Sequence, residues 1–138
     1  MPFPSREGPL FNPDPAAYLP HRYPFLMIDR IQELEPGITA KALRRVTDSP
    51  EGFPQILLLE CVAQLAGITA GLEQNDSGFL AAVNHSEFYD MPCAGDTLSI
   101  SVRIVKSFGR LCLVEGEVAK DDGTVLLKAS MTIGIGRL

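Results

Sequence analysis

The feature that most constrains the fold is a run rich in leucine and alanine that extends from Pro54 to about Glu73. Pro54 suits the first turn of a helix, and the length of the run predicts one helix of roughly 20 residues. Apolar residues occur around most of its circumference, so this helix has to be covered on several sides by the rest of the chain. Small residues along it, such as Ala63, Ala66 and Gly67, let other elements pack closely.

The remaining segments have the pattern of strands. We expect strands at residues 25–34, 38–46, 79–90, 96–108, 110–121 and 124–135. Asp122 and Gly123 mark a tight hairpin between the last two. The predicted order is two strands, a buried helix and an antiparallel meander of four strands. This order indicates an α+β architecture in which the helix covers one face of a curled sheet.

The N-terminal residues do not resemble a structured element. Residues 1–15 include five prolines, at positions 2, 4, 9, 13 and 15, and predict an irregular arm. Asp14 is suited to cap a short helix at residues 15–18, with Pro15 at its first position. We therefore expect an arm over residues 1–15 and a single domain over residues 16–138.

Composition and charge exclude several classes of protein. The net charge of −5 speaks against a nucleic-acid partner, which requires a broad basic surface. Three widely spaced cysteines predict free thiols in a reducing cytoplasm, and with the histidines they have no metal-ligand spacing. The N-terminus lacks the apolar core of a signal peptide, and no apolar run reaches the roughly 20 residues of a membrane span. We expect a soluble cytoplasmic protein without a metal site.

A carboxylate interrupts the apolar helix. Glu60 and Gln64 lie four residues apart and share one helix face. A carboxylate six residues after the helix-start proline, among apolar neighbours, predicts a general acid/base. The alternative is a surface glutamate that faces solvent or a polar partner.

Three stretches of the sequence resemble one known family. "YLPHRYPFLMIDRIQELEPG" at residues 18–37, "LLLECVAQLAG" at residues 57–67, and "FLAAVNHSEFYDMPCAGDTLSISVRIVKSFG" at residues 79–109 resemble bacterial (3R)-hydroxyacyl-[acyl-carrier-protein] dehydratases of the FabZ type. The resemblance covers residues 16–136. It implies the hot-dog fold, in which a curled antiparallel sheet wraps a long central helix, and a homodimer or higher homo-oligomer in which the sheets join edge to edge.

The same resemblance implies the site residues. Glu60 takes the place of the family's helix carboxylate, so it is predicted to be catalytic. Gln64 matches the glutamine of the helix motif, and the N–H groups of Gln55 and Ile56 match the donors that polarise the thioester carbonyl. These three residues are predicted to bind substrate. In the family the active site lies at the dimer interface.

One family element is missing. The family has a loop about ten residues longer between Thr47 and Glu60, with Gly-His-Phe-Pro in it and the catalytic histidine that works with the helix carboxylate. Here the loop reads "DSPEGFP", without histidine. His85 and His21 are the remaining histidines and therefore the candidates for a substitute base, although the resemblance gives neither that role.

Three functions follow from these observations. The first is a (3R)-hydroxyacyl-ACP dehydratase-like protein of fatty-acid metabolism, with low activity because the histidine is absent. The second is a hot-dog acyl thioesterase that uses Glu60 to activate water. The third is a non-catalytic subunit that binds acyl chains or a carrier protein. The expected partner is an acyl carrier protein or a coenzyme A thioester. No cofactor is predicted other than the 4'-phosphopantetheine that the substrate carries.

Overall fold

The computed structural model describes residues 11–20, 25–47, 53–70 and 76–137. One α-helix and six strands make up this part of the chain, preceded by a short 3-10 helix at Pro15–Ala17. The strands are β1 (Arg30–Glu35), β2 (Thr39–Arg45), β3 (Asp76–Phe88), β4 (Thr97–Phe108), β5 (Leu111–Lys120) and β6 (Val125–Arg137), and the helix is α1 (Leu57–Thr69). The predicted cap of the first short helix is confirmed, because the Asp14 side chain accepts a hydrogen bond from the N–H of Ala16.

The six strands form one antiparallel sheet in the order β1-β2-β4-β5-β6-β3. Helix α1 packs against one face of this sheet and contacts β2, β3, β4, β5 and β6. The predicted α+β class and hot-dog fold, a central helix covered by a curled sheet, are therefore confirmed. The predicted dimer and the boundary between residues 15 and 16 stay predictions.

The position of β3 corrects the predicted meander. Of the four strands of the predicted meander, only β4, β5 and β6 follow one another in the sheet, whereas β3 pairs with β6 at the far edge. The connection at 89–96 explains the difference. It leads from the end of β3, opposite Leu127, to the start of β4, opposite Lys120 on β5. A connection of this length spans the width of two strands, whereas a hairpin between β3 and β4 needs only a short turn.

Two boundaries are also corrected. The described helix has 13 residues, Leu57–Thr69, because residues 54–56 form a turn in which the N–H of Leu57 donates to the carbonyl of Pro54 at 3.0 Å. The predicted extension to Glu73 lies outside the described residues. The first strand begins at Arg30 instead of Phe25. Phe25 and Met27 are not in a strand because their backbone groups bond to a side chain of α1.

A glycine in the middle of β5 sets how closely the helix approaches the sheet. Gly116 lies opposite Val102 and Ala129, both buried, so it faces α1. A Cβ added at this position would lie 2.3 Å from Cγ1 of Val62 on the helix. Gly116 therefore leaves the space that Val62 fills, and the helix lies directly on the sheet at this point.

Candidate active site on the central helix

The carboxylate of Glu60 is held by Gln64, one turn further along α1. Nε2 of Gln64 donates to Oε2 of Glu60 at 2.9 Å, as the spacing of four residues predicts. Gln64 is almost fully buried, at 3% exposure, whereas Glu60 is half-buried. Gln64 also donates to the carbonyl of Phe25 and accepts from the N–H of Met27, each at 2.8 Å. The structure therefore brings the two predicted helix residues together.

Glu60 lines an apolar cavity of about 650 Å³. The other lining residues come from the segment before β1, from the first turns of α1 and from β3: Phe25, Met27, Ile56, Leu57, Leu59, Leu80 and Val83. Glu60 is thus the one charged residue among the described residues that line it. A carboxylate in an apolar cavity of this size is suited to proton transfer on a substrate with a hydrocarbon chain. Of these lining residues, only Glu60 and Ile56 were predicted from the sequence to belong to the site.

The start of α1 lies at the same cavity. Ile56 occupies the N-cap position, and its side chain makes no capping hydrogen bond. Within the described residues, the N–H groups of Gln55 and Ile56 donate to no other group. Unpaired N–H groups at a helix N-terminus attract negative charge and can polarise a carbonyl oxygen. The predicted binding roles of Gln55 and Ile56 stay predictions, and this geometry is compatible with them.

Two contacts fix the short segment that leads into the helix. The guanidinium of Arg44 lies over the ring of Phe53, 5.4 Å from its centroid, and Phe53 is buried. The Gln55 side chain donates from Nε2 to the carbonyl of Asp90 at 3.1 Å, which ties the start of α1 to the connection after β3. Neither contact was predicted, because each joins residues that are far apart in the sequence.

His85 does not meet Glu60 in the described structure. His85 lies opposite Ser130 on the face of the sheet that points away from α1, and its side chain is 67% exposed. Its nearest charged partner is Glu87, with Nε2 of His85 3.6 Å from the Glu87 carboxylate. His85 therefore cannot relay a proton to Glu60 of the same chain. His21 lies outside the described residues, and its predicted role as a substitute base stays untested.

The thiol next to Glu60 in the sequence has no catalytic character. Cys61 is fully buried, and its Sγ lies 3.7 Å from the carbonyl of Met27. Burial raises the pKa of the Cys61 thiol to about 12, which outweighs the opposite effect of the nearby Arg44 cation. The thiol is protonated at neutral pH, so Cys61 is not a nucleophile at this site.

A second cavity lies on the opposite face of the sheet. It has a volume of about 740 Å³ and includes His85, with charged residues of both signs around it: Glu33, Lys41, Arg103, Glu115, Glu117 and Lys128. Arg103 forms an ion pair with Glu115, and Glu117 lies opposite Lys128 in the strand register. Opposite charges lie beside one another here, which is typical of a solvated sheet face.

The described ranges contain neither a metal-binding cluster nor a helix that could cross a membrane. No group of three or more histidine, cysteine, aspartate or glutamate side chains there is arranged to hold a metal ion. No helix in the same ranges has the length and apolar character needed to cross a membrane.

Comparison with known sequences identifies relatives over most of the chain. The chain is 32% identical over 131 residues to the 3-hydroxyacyl-[acyl-carrier-protein] dehydratase FabZ of Bacillus subtilis, which covers 86% of this chain and 92% of that protein. It is 34% identical over 122 residues to the FabZ of Chromobacterium violaceum, with 73% of this chain and 81% of that protein covered. No family model matches the chain.

Comparison with solved structures shows the same fold in several proteins. The dehydratase heterocomplex ApeI:P from Xenorhabdus doucetiae superposes with a TM-score of 0.80 at 18% identity, covering 90% of this chain and 91% of that chain. A hypothetical thioesterase from Streptococcus pneumoniae, crystallised with coenzyme A, superposes with a TM-score of 0.65 at 17% identity, covering 78% and 84%. Identities this low indicate a common fold only.

Proposed function

Because the chain belongs to the 3-hydroxyacyl-[acyl-carrier-protein] dehydratase FabZ family, we propose that it removes water from 3-hydroxyacyl thioesters at Glu60. The observation that carries the proposal is the position of this carboxylate: it is held by Gln64 on the wall of an apolar cavity, beside the start of α1. The cavity receives the acyl chain, and the N–H groups of Gln55 and Ile56 face the thioester carbonyl.

In the proposed reaction, one carboxylate acts twice. Glu60 takes the proton from the α carbon while the N–H groups at the helix start stabilise the negative charge on the thioester oxygen. The bond between the β carbon and the hydroxyl then breaks, and the proton on Glu60 leaves with the hydroxyl as water. The product is the trans-unsaturated acyl thioester, and Glu60 returns to its initial charge.

The missing histidine predicts a slow enzyme. An acid–base group that is correctly positioned typically contributes ~10²–10⁴-fold to the rate. The loop from Thr47 to Glu60 supplies no histidine here, and the structure places His85 on the opposite face of the sheet. We therefore propose that Glu60 performs both proton transfers and that turnover is lower than that of a relative with the loop histidine.

The test follows both products of one substrate. Offered a 3-hydroxyacyl thioester on pantetheine, coenzyme A or an acyl carrier protein, the purified chain is expected to give the unsaturated thioester with its thioester bond intact. Release of free thiol without an unsaturated product identifies the thioesterase instead. No change in the substrate contradicts both reactions. The relative rates with the three carriers decide between coenzyme A and a carrier protein.

The exposed edge of the sheet supports an assembly of two chains. Strand β3 has 13 residues and is an outer strand of the sheet, so among the described residues one of its edges has no strand beside it. Its side chains Phe79, Leu80 and Val83 are 56%, 42% and 41% exposed, which is unusual for large apolar residues on a free edge. We propose that two copies of β3 pair and cover the cavity, of which Leu80 and Val83 form one wall. We also propose that the protein acts in the cytoplasm and needs no cofactor beyond the phosphopantetheine of the substrate.

The shortened loop also favours a second function: a subunit that pairs with a family member that carries the histidine. Fold similarity to a dehydratase heterocomplex agrees with this alternative. In such a pair, this chain supplies Glu60 and the partner supplies the histidine at a shared interface.

Co-expression with a histidine-bearing FabZ of the same organism tests this alternative. A mixed dimer is expected to exceed the activity of the isolated chain by ~10²–10⁴-fold and to lose the excess when Glu60 of this chain becomes glutamine. Mass measurement gives the composition of the purified particle. A pure homodimer with rapid turnover would exclude the subunit role.

A further inference from the structure

The hydrogen bonds of Gln64 determine the orientation of its amide group. The backbone N–H of Met27 donates to Oε1 of Gln64 at 2.8 Å, and only an oxygen can accept there. The other amide atom is therefore Nε2, and it lies 2.8 Å from the carbonyl of Phe25 and 2.9 Å from Oε2 of Glu60. At 3% exposure, Gln64 has no room to turn its amide over without breaking all three bonds.

The orientation of Gln64 in turn constrains Glu60. An amide nitrogen carries two hydrogens, and the carbonyl of Phe25 takes one because it can only accept. The second hydrogen points to Oε2 of Glu60, which must then be an acceptor in every protonation state of the carboxyl group. A hydroxyl oxygen accepts less well than a carbonyl oxygen, so the bond from Gln64 favours the protonated carboxyl group that carries its proton on Oε1.

We infer that Gln64 is a positioning residue that favours proton transfer at Oε1 of Glu60. Gln64 is not among the described residues that line the cavity, so it acts through Glu60 and not by touching the substrate. Gln64 also bonds to the backbone of Phe25 and Met27, which do line the cavity. These bonds fix Gln64, and through it the plane of the Glu60 carboxyl group, relative to the cavity wall. This inference rests on the proposed function for the identity of the transferred proton.

The substitution Glu60→Gln imitates the protonated state of the Glu60 carboxyl group. The carbonyl oxygen of the new amide takes the N–H of Gln64, and its NH₂ group occupies the position of Oε1. The variant therefore resembles the protonated carboxyl group in shape and in donor position, but it cannot exchange the proton. It is expected to bind a 3-hydroxyacyl thioester about as well as the wild type.

A double-mutant cycle tests the positioning role. Gln64→Met fills the same space without hydrogen bonds and is expected to lower kcat about tenfold or more, with KM within about threefold of the wild type. In the Glu60→Gln background, Gln64→Met is expected to lower kcat by less than about threefold, because the group that Gln64 positions has already lost its function. If the fold-losses in kcat of the two single variants multiply in the double variant, Gln64 has a structural role only.

Thr69→Val is the matched control. Thr69 is a fully buried polar residue of the same helix, and its hydroxyl donates to the carbonyl of Leu65 at 2.7 Å. Thr69→Val removes a buried hydrogen bond that does not involve Glu60, so its effect on kcat should be small. The fold-losses of Thr69→Val and Glu60→Gln should therefore multiply in the double variant. The same coupling for Thr69→Val as for Gln64→Met would overturn the inference.

An NMR measurement keeps the inference testable if Gln64→Met does not fold or the wild type has no turnover. In the wild type, both Nε2 protons of Gln64 are expected to exchange slowly with solvent; in Glu60→Ala one becomes fast and the other, bound to Phe25, stays slow. An unchanged pair of protons contradicts the contact. A response of one proton together with an inactive wild type contradicts the proposed reaction and supports the contact. If the wild type is active and the kcat losses of Gln64→Met and Glu60→Gln multiply, the positioning role is contradicted and the proposed reaction is not.

Discussion

Glu60→Gln is expected to lower kcat/KM for a 3-hydroxyacyl thioester by at least about 100-fold, the effect of removing a positioned acid–base group. The substitution keeps the size of the side chain and the hydrogen bond with Gln64, so the fold and the cavity are retained. It removes the only charged group among the described residues that line the cavity. The measurement is the initial rate of formation of the unsaturated thioester, with the melting temperature as a check on folding.

Glu117→Gln is the control for this experiment. It makes the same chemical change and the same change in net charge, but Glu117 lies on the opposite face of the sheet, beside Lys128. Its rate should equal that of the wild type. Equal rates for Glu60→Gln and Glu117→Gln would contradict a catalytic role for Glu60, whatever reaction the protein performs.

The sequence was sufficient to predict the helix and the contact within it. The run of leucine and alanine has an apolar circumference that only a covered helix accommodates, and the spacing of Glu60 and Gln64 is a local property of helical geometry. The strands β2, β4, β5 and β6 were also predicted closely, because alternating patterns and turn residues depend on neighbours in the sequence. Local rules were enough for these elements.

The position of β3 and the orientation of His85 could not be predicted in this way. Residues two apart in a strand normally point to the same face, so Val83 and His85 would both face the helix or both face away. The register shifts between Val83 and His85, as expected for a β-bulge, and the two side chains lie in cavities on opposite faces. The bulge depends on pairing with β6, some 45 residues later, and no pattern within β3 indicates it.

The segment before β1 could not be predicted from local patterns either. Its apolar residues Phe25, Leu26 and Met27 resemble the start of a strand, yet Gln64 provides the hydrogen bonds for Phe25 and Met27. A side chain of the helix has thus replaced a neighbouring strand. The outcome is functional, because this replacement brings Phe25 and Met27 to the cavity that contains Glu60.

Gly116→Ala is expected to destabilise the protein by about 1–3 kcal/mol, as overpacking of a close-packed core generally does. The added Cβ would lie 2.3 Å from Cγ1 of Val62 and 3.3 Å from Cγ1 of Val102. Both valines are buried, so neither can turn away into solvent, and the helix has to move from the sheet. Urea unfolding gives the free energy, and an unchanged slope shows that the unfolded state is not altered.

Val62→Ala in the same chain distinguishes this clash from a general effect of alanine in β5. It removes the atom that the new Cβ meets, so the double variant should be more stable than the sum of the single effects predicts, by about 1 kcal/mol or more. Gly136→Ala is the control on the neighbouring strand, where the added Cβ meets only the ring of Phe79, at 3.8 Å. Additive losses would show that Val62 does not set the distance between helix and sheet. Because α1 carries Glu60 and Gln64, a helix displaced at Val62 should also lower turnover, and Val62→Ala should restore both stability and rate.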